Sequence, residues 1–346
     1  MSKRIAWVDC AKFIAVIAVA VDHCSGVLYT SRLISYASYF SVSLFVLLSG
    51  ISTWISYENG KDITFRTQFQ KGIKLFGLYA IATFIVLCVV KRAFDLKTYL
   101  GYLLSFNIQG PYYYLVFFVQ LLMIAPVFVS WCKFANSKRF KWFMQLGTLG
   151  VLGWFAYISI NYTYILQVHG GGKFLGGGTY IILYYLGMVL ASNGAFRLNK
   201  KMRGIVAVIS SGVAVLWAFL MAGDKLEFDQ WMSPYWGNGM NPPSVNFMVY
   251  AIVILFACYS IFTLLDELQY SLVRKMIRLF SFFGKNTIYI WLYHLLVKNI
   301  IIARLPNILE AKIPVRVIVF IVIVILPAIV KQCLSECYRI YHKQMQ

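Results

Sequence analysis

Ionisable residues are sparse in this chain, and those that could do chemistry fall in two apolar stretches. The first carries Asp9, Lys12, Asp22 and His23; the second carries Lys285, Asn286, Thr287, His294 and Lys298. On a helix, Lys12 and His23 are eleven residues apart. That is close to three full turns, so they share a face about 16 Å apart along the axis. Asp9 and Lys12 are an i,i+3 pair and neighbours on that helix. Thr287, Trp291, His294 and Lys298 follow an i, i+4, i+7, i+11 stripe. Histidine, with its near-neutral unperturbed pKa, is suited to take a proton from a hydroxyl, or to act as a nucleophile. A lysine near the inner end of a span suits an anionic ligand. Plainer roles stand beside these. Each histidine can be a packing residue satisfied by one neighbour, and Lys12 can snorkel to the interface.

The surrounding elements are membrane helices. Of 346 residues, 60% are hydrophobic, 17% aromatic and 13% charged, about half the charge of a soluble domain; mean hydropathy is +0.72. Apolar runs of about twenty residues recur along the chain, which predicts an all-α polytopic membrane protein. Disorder, coiled coil, a disulfide scaffold and a soluble enzyme are excluded. Continuous rather than alternating runs argue against a β-barrel. The net charge of +20 fits basic loops that fix orientation better than nucleic-acid binding.

Ten transmembrane helices are predicted, at about 5–28, 34–57, 72–90, 112–131, 142–160, 178–192, 204–222, 246–265, 279–302 and 313–331. The N-terminus, alternate loops and the C-terminus hold twenty Lys and Arg, and the other loops nine, so both termini are expected in the cytoplasm. The first and ninth spans then both run outward. Counted from Leu279, His294 lies in the outer half of its span, at the depth of His23. Each charge within a span costs several kcal/mol unless it meets a cavity or a partner. Read as a signal peptide, the N-terminal segment would be interrupted by Asp9 and Lys12. The chain reads as one membrane-embedded domain, 1–346, with no repeat and no soluble extension.

Other features are less specific. An outer loop holds Asp224, Glu227, Asp229, Trp231, Tyr235, Trp236, Asn238 and Asn241; it suits sugar stacking, but also an interfacial aromatic belt. The glycine-rich segment 169–178 matches no phosphate loop. Seven cysteines without a CxxC imply neither a zinc site nor a disulfide framework.

At these residues the chain resembles the integral-membrane acyltransferase-3 family. Asp9-Cys10-Ala11-Lys12 followed by His23 resembles the family's opening pattern of Asp, a basic residue and His, with Lys where Arg is usual. Ser43 to Gly50 is similar to its aromatic-rich segment ending in Ser-Gly. Gly110-Pro111-Tyr112-Tyr113-Tyr114-Leu115 resembles its aromatic approach to the fourth span, Tyr184-Tyr185-Leu186-Gly187 its sixth-span motif, and Gly284 to His294 its ninth-span motif. The resemblance covers most of the chain and implies ten spans. It also implies an O-acyltransferase, most often an O-acetyltransferase, with acetyl-CoA or another acyl-CoA as cytoplasmic donor and no metal. The acceptor would be a hydroxyl of a cell-envelope polysaccharide or its lipid-linked precursor. The partners are then the lipid bilayer of the cell membrane, the donor and the glycan, not nucleic acid. Some members carry an esterase-like domain; without it, the membrane domain transfers the group directly or a separate partner protein takes part.

In the roles this implies, Lys12 holds donor phosphates and His23 acts as base or acyl carrier. Asp9 belongs to the catalytic set, and His294 orients the acceptor or stabilises the oxyanion. Arg and Lys are not equivalent for bidentate phosphate binding, so the Lys12 role rests on charge. The rival is a transporter or flippase for a lipid-linked sugar. No inverted repeat supports it, nor do paired Gly/Pro-broken helices in corresponding halves.

Overall fold

The computed structural model describes residues 5–106, 108, 112–162, 167–168, 173–223 and 241–344. Among the described residues the regular structure is helical, apart from a two-residue antiparallel ladder pairing Gln167 with Phe174 and Val168 with Lys173 and a single bridge between Ser25 and Tyr29. The helices are α1 (Ala6–His23), α2 (Arg32–Ser38), α3 (Ser41–Glu58), α4 (Phe65–Ile85, continued by a π-helical turn, Val86–Val90), α5 (Leu96–Ser105), α6 (Tyr113–Asn136), α7 (Lys141–Asn161), α8 (Tyr180–Ser192), α9 (Lys200–Ala222), α10 (Val245–Glu267), α11 (Ser271–Lys285), α12 (Thr287–Arg304) and α13 (Ile313–Gln344).

The packing is that of a protein in lipid. On α7 the buried side chains include Gln145, Gly153 and Ser159, while Phe143 is 80% exposed. On α9 the buried stripe is Ser210, Ala214, Ala218 and Met221, and Val208 on the outside is 75% exposed. On these two helices the buried face is mostly small and polar, with Leu152 and Met221 among it, and the large apolar side chains are mostly outside, unlike a water-soluble helix. The chain is a multi-pass membrane protein.

Glycines bring key helices into contact. A Cβ on Gly50 of α3 would sit 2.0 Å from the Tyr184 carbonyl oxygen of α8, and one on Gly187 would sit 2.3 Å from the Leu47 carbonyl oxygen. With both positions bare, the two backbones meet, as small-residue motifs allow in membranes. One face of this seam is closed by a hydrogen bond of 2.9 Å between Thr53 Oγ1 and the Tyr184 hydroxyl.

The expected ten spans are only partly realised. Among the described residues, seven helices are long and apolar enough to cross a membrane, or eight if one bent pair counts as a span. Two of the expected spans depart from this. α1 has 18 residues, about 27 Å, but carries Asp9, Lys12 and Asp22. It is surrounded by α2, α3, α10, α11 and α12, which keeps those charges away from lipid. α8 has 13 residues, about 20 Å, short of a bilayer core.

The third departure corrects the ninth span. The expected helix 279–302 breaks at Asn286 into α11 and α12, which meet at 76°. Gly284 and Asn286 are poor helix formers. The Asn286 side chain donates 2.9 Å to the Phe282 carbonyl oxygen, competing with the helical ladder. The stripe from Thr287 to Lys298 lies wholly on α12, so its spacing holds. The count from Leu279 does not, because α12 begins at Thr287, although His294 still comes level with His23.

Candidate functional site

α1 is one unbroken helix from Ala6 to His23, so Lys12 and His23 share a face as the spacing requires. α1 seats against α11 where Gly284 faces Asp9: a Cβ on Gly284 would lie 1.9 Å from the Asp9 carbonyl oxygen. That contact fixes α11, and through the short Asn286 junction it fixes where α12 delivers His294.

The two histidines meet. His23 Nδ1 and His294 Nε2 are 2.7 Å apart. Their ring planes lie within 5° of each other, with centroids 5.0 Å apart, so the imidazoles are coplanar and joined edge to edge. The other nitrogen of His294 fixes the protons. His294 Nδ1 faces the carbonyl oxygens of Trp291 at 2.8 Å and Ile290 at 3.0 Å. Carbonyls only accept, so Nδ1 carries the hydrogen, and in neutral His294 the Nε2 is a lone pair. His23 Nδ1 must then donate to it. This tautomer, assigned from the network, leaves His23 Nε2 as the open basic atom.

Exposure separates the two roles. His294 is fully buried, 0% exposed, whereas the His23 side chain is 19% exposed. Asp22 Oδ2 stands 3.9 Å from His23 Nε2. Lys298 Nζ donates 2.9 Å to the His23 carbonyl oxygen, satisfying an acceptor at the end of α1 that no further helical turn can reach. Lys298 therefore tethers α12 to the end of α1, on the same α12 stripe as His294.

At the opposite end of α1 a cleft of about 530 Å³ opens. Lys12, Lys61, Lys71, Lys74 and Lys285 line it, with Asp9 and Asn59. Asp9 Oδ2 accepts a 3.2 Å hydrogen bond from the Ser281 hydroxyl. Ser49, Ser52 and Ser56 of α3 line the same cleft. Its apolar wall includes Phe45, Tyr114, Phe118 and Trp291. Here Tyr114 packs on Trp291 at 4.9 Å and on Phe118 at 5.3 Å between centroids. Trp291 is the link between the two ends: its ring lines the cleft, and its carbonyl holds His294. Neither histidine is among the described residues that line the cleft.

The four residues singled out from sequence thus fall in two groups, Asp9 with Lys12 in the basic cleft and His23 with His294 beyond the aromatic wall. Lys61, Lys71 and Lys74 read as loop charges in the sequence; only folding brings them to Lys12. Ser281 and Tyr114 also gave no polar-spacing signal. Of the outer loop, Asp224, Glu227, Asp229, Trp231, Tyr235, Trp236 and Asn238 lie outside the described residues. So does part of segment 169–178.

A family model for an acyltransferase domain matches residues 5–331, almost the whole chain. No curated protein and no solved structure matches significantly.

Proposed function

The chain belongs to the acyltransferase-3 family, and on that premise we propose that it is an O-acyltransferase of the cell membrane, using acyl-CoA, acetyl-CoA first among them, to acylate a hydroxyl of an envelope glycan or its lipid-linked precursor. The observation that carries this reading is the open Nε2 of His23, on a ring whose Nδ1 is held by a buried histidine partner at 2.7 Å.

His23 Nε2 takes the proton of the acceptor hydroxyl as its oxygen attacks the thioester carbonyl. The protonated His23 keeps its Nδ1–H on His294 Nε2, so the partner fixes the ring through the step. When the tetrahedral centre collapses, the C–S bond breaks and His23 returns its proton to the leaving thiolate. One proton moves from hydroxyl to thiol, and His23 ends neutral. A positioned base of this kind typically contributes about 10²–10⁴-fold. His294 is a positioning residue in this scheme, not the acceptor-orienting or oxyanion group that the family resemblance first implies.

The donor's phosphates match the cleft in charge: its five lysines offer cations to an anion, and its aromatic wall offers apolar surface to a thin thioester arm. Lys12 is placed among those lysines, on the same α1 face as His23. We place this end in the cytoplasm, because the basic residues favour that side twenty to nine.

Mass analysis of envelope glycans from cells with and without the gene tests the reading. Loss of an acyl increment from an otherwise intact glycan is the expected result. Loss of the whole glycan from the surface would favour a flippase instead.

A further inference from the structure

Helix α11 differs from every crossing helix. It turns 76° away from α12, so if α12 crosses the bilayer, α11 runs close to the membrane plane. Its residues divide into three sectors when projected at 100° each. Ile277, Ser281 and Gly284 are buried toward the bundle, and Phe283, in the last turn on the leucine side, is buried as well. Arg274, Lys275, Arg278 and Lys285 fall in an arc of about 100°, and all four are exposed. The segment contains no acidic residue. Beside the basic arc, Leu272 and Leu279 form a ridge one heptad apart, 79% and 53% exposed. Tyr270, just before the helix, is 70% exposed.

A basic strip flanked by exposed leucines and a tyrosine is what an interfacial helix presents to a charged membrane surface. Within the protein, Arg274 donates 3.0 Å to Gln269 Oε1 and Arg278 Nε donates 3.3 Å to the Arg274 carbonyl oxygen. Each guanidinium has five N–H groups, so these bonds use one of the five on each of two exposed arginines. Two arginines and a lysine so arranged match phosphodiester oxygens at headgroup depth.

We propose that the exposed face of α11 is a binding site for anionic phospholipid headgroups. The leucine ridge enters the acyl region, while Arg274, Lys275 and Arg278 take the phosphates. Three basic residues near an anionic surface together favour an anionic over a zwitterionic lipid by roughly a hundredfold.

The full-length protein in phosphatidylcholine nanodiscs tests this, with a photoactivatable phosphatidylglycerol or phosphatidylcholine probe at equal mole fraction. Adducts are mapped by mass spectrometry to peptides covering 270–285. The expected result is at least tenfold more phosphatidylglycerol adduct there, falling to the phosphatidylcholine level in the triple variant Arg274→Gln, Lys275→Gln, Arg278→Gln. Equal labelling by the two probes in the wild-type protein would overturn the proposal, as would a folded triple variant that keeps the preference. Displacement by inorganic phosphate would assign the site to a soluble anion and also overturn it. If the triple variant fails to run as a single species, wild-type labelling across a salt series decides: the preference should fall as salt rises. The readout needs no catalysis, so it stands apart from the acyltransferase reading.

Discussion

The two ends of α1 handle buried polarity in opposite ways. At the basic end, Asp9 and Lys12 share an open cleft with four further lysines, where solvent or a ligand can compensate the charge. At the histidine end, the polar groups satisfy one another: His294 is held by two backbone carbonyls and holds His23, and Lys298 is spent on the His23 carbonyl. The first arrangement suits binding, since an excess of one charge attracts an anion without fixing its pose. The second suits proton transfer, which needs one atom in one tautomer at one angle. Trp291 belongs to both, through its ring on one side and its carbonyl on the other.

If this division holds, variants at the two ends should separate kinetically. The largest effect is expected from His23→Ala, which should lower acyl transfer by about 10²–10⁴-fold with protein level and donor affinity unchanged. Transfer rates measured beside acyl-CoA binding on the purified protein check this. Near wild-type turnover would remove His23 from the chemistry and put the transporter reading ahead.

His294→Ala comes next. It removes the acceptor for His23 Nδ1, a hydrogen bond to a group that becomes charged, worth about 1.5–3 kcal/mol, or roughly tenfold to hundredfold in rate. The expected signature is a fall in kcat and a displaced pH–rate profile, because the partner no longer sets the His23 proton. Loss of packing alone would lower stability without moving that profile.

Gly284→Ala probes the connection between the ends. Its Cβ would fall 1.9 Å from the Asp9 carbonyl oxygen, and backbone cannot rotate away as a side chain can. Overpacking of this kind costs about 1–3 kcal/mol. The expected outcome is a lower Tm together with reduced turnover, since displacing α11 also displaces α12 and His294. An unchanged Tm would show that the helices part freely.

The smallest effect belongs to Lys12. With four other lysines in the cleft, Lys12→Ala should raise the donor KM by about tenfold, the scale of one charged contact, and leave kcat nearly intact; Lys12→Arg should retain most of the affinity. A KM within about twofold of wild type for Lys12→Ala would mean that Lys12 only reaches toward the interface. Reporter fusions at the two termini complete the comparison by testing which end faces the cytoplasm.

Sequence alone determined that this is a helical membrane protein, because apolar runs of that length have no other stable home. It also determined which polar residues to suspect, because a charge inside such a run is costly enough to need a reason. The periodicity of one helix was sufficient to align Lys12 with His23, and Thr287 with His294 and Lys298, since those relations are local. What lay beyond it was every relation between helices. The 76° break at Asn286 depends on a side chain competing with its own backbone, and a run of apolar residues passes straight through it in a hydropathy count. The sequence predicts a span at α1, yet its charges, which neighbouring helices cover, keep it out of the seven described helices apolar enough to cross. The convergence of Lys61, Lys71 and Lys74 on Lys12 follows from how α3 packs on α1 and how α4 packs on α6 and α12. The direction of the proton between His23 and His294 was settled by two carbonyls of α12, and backbone carbonyls carry no mark in a sequence.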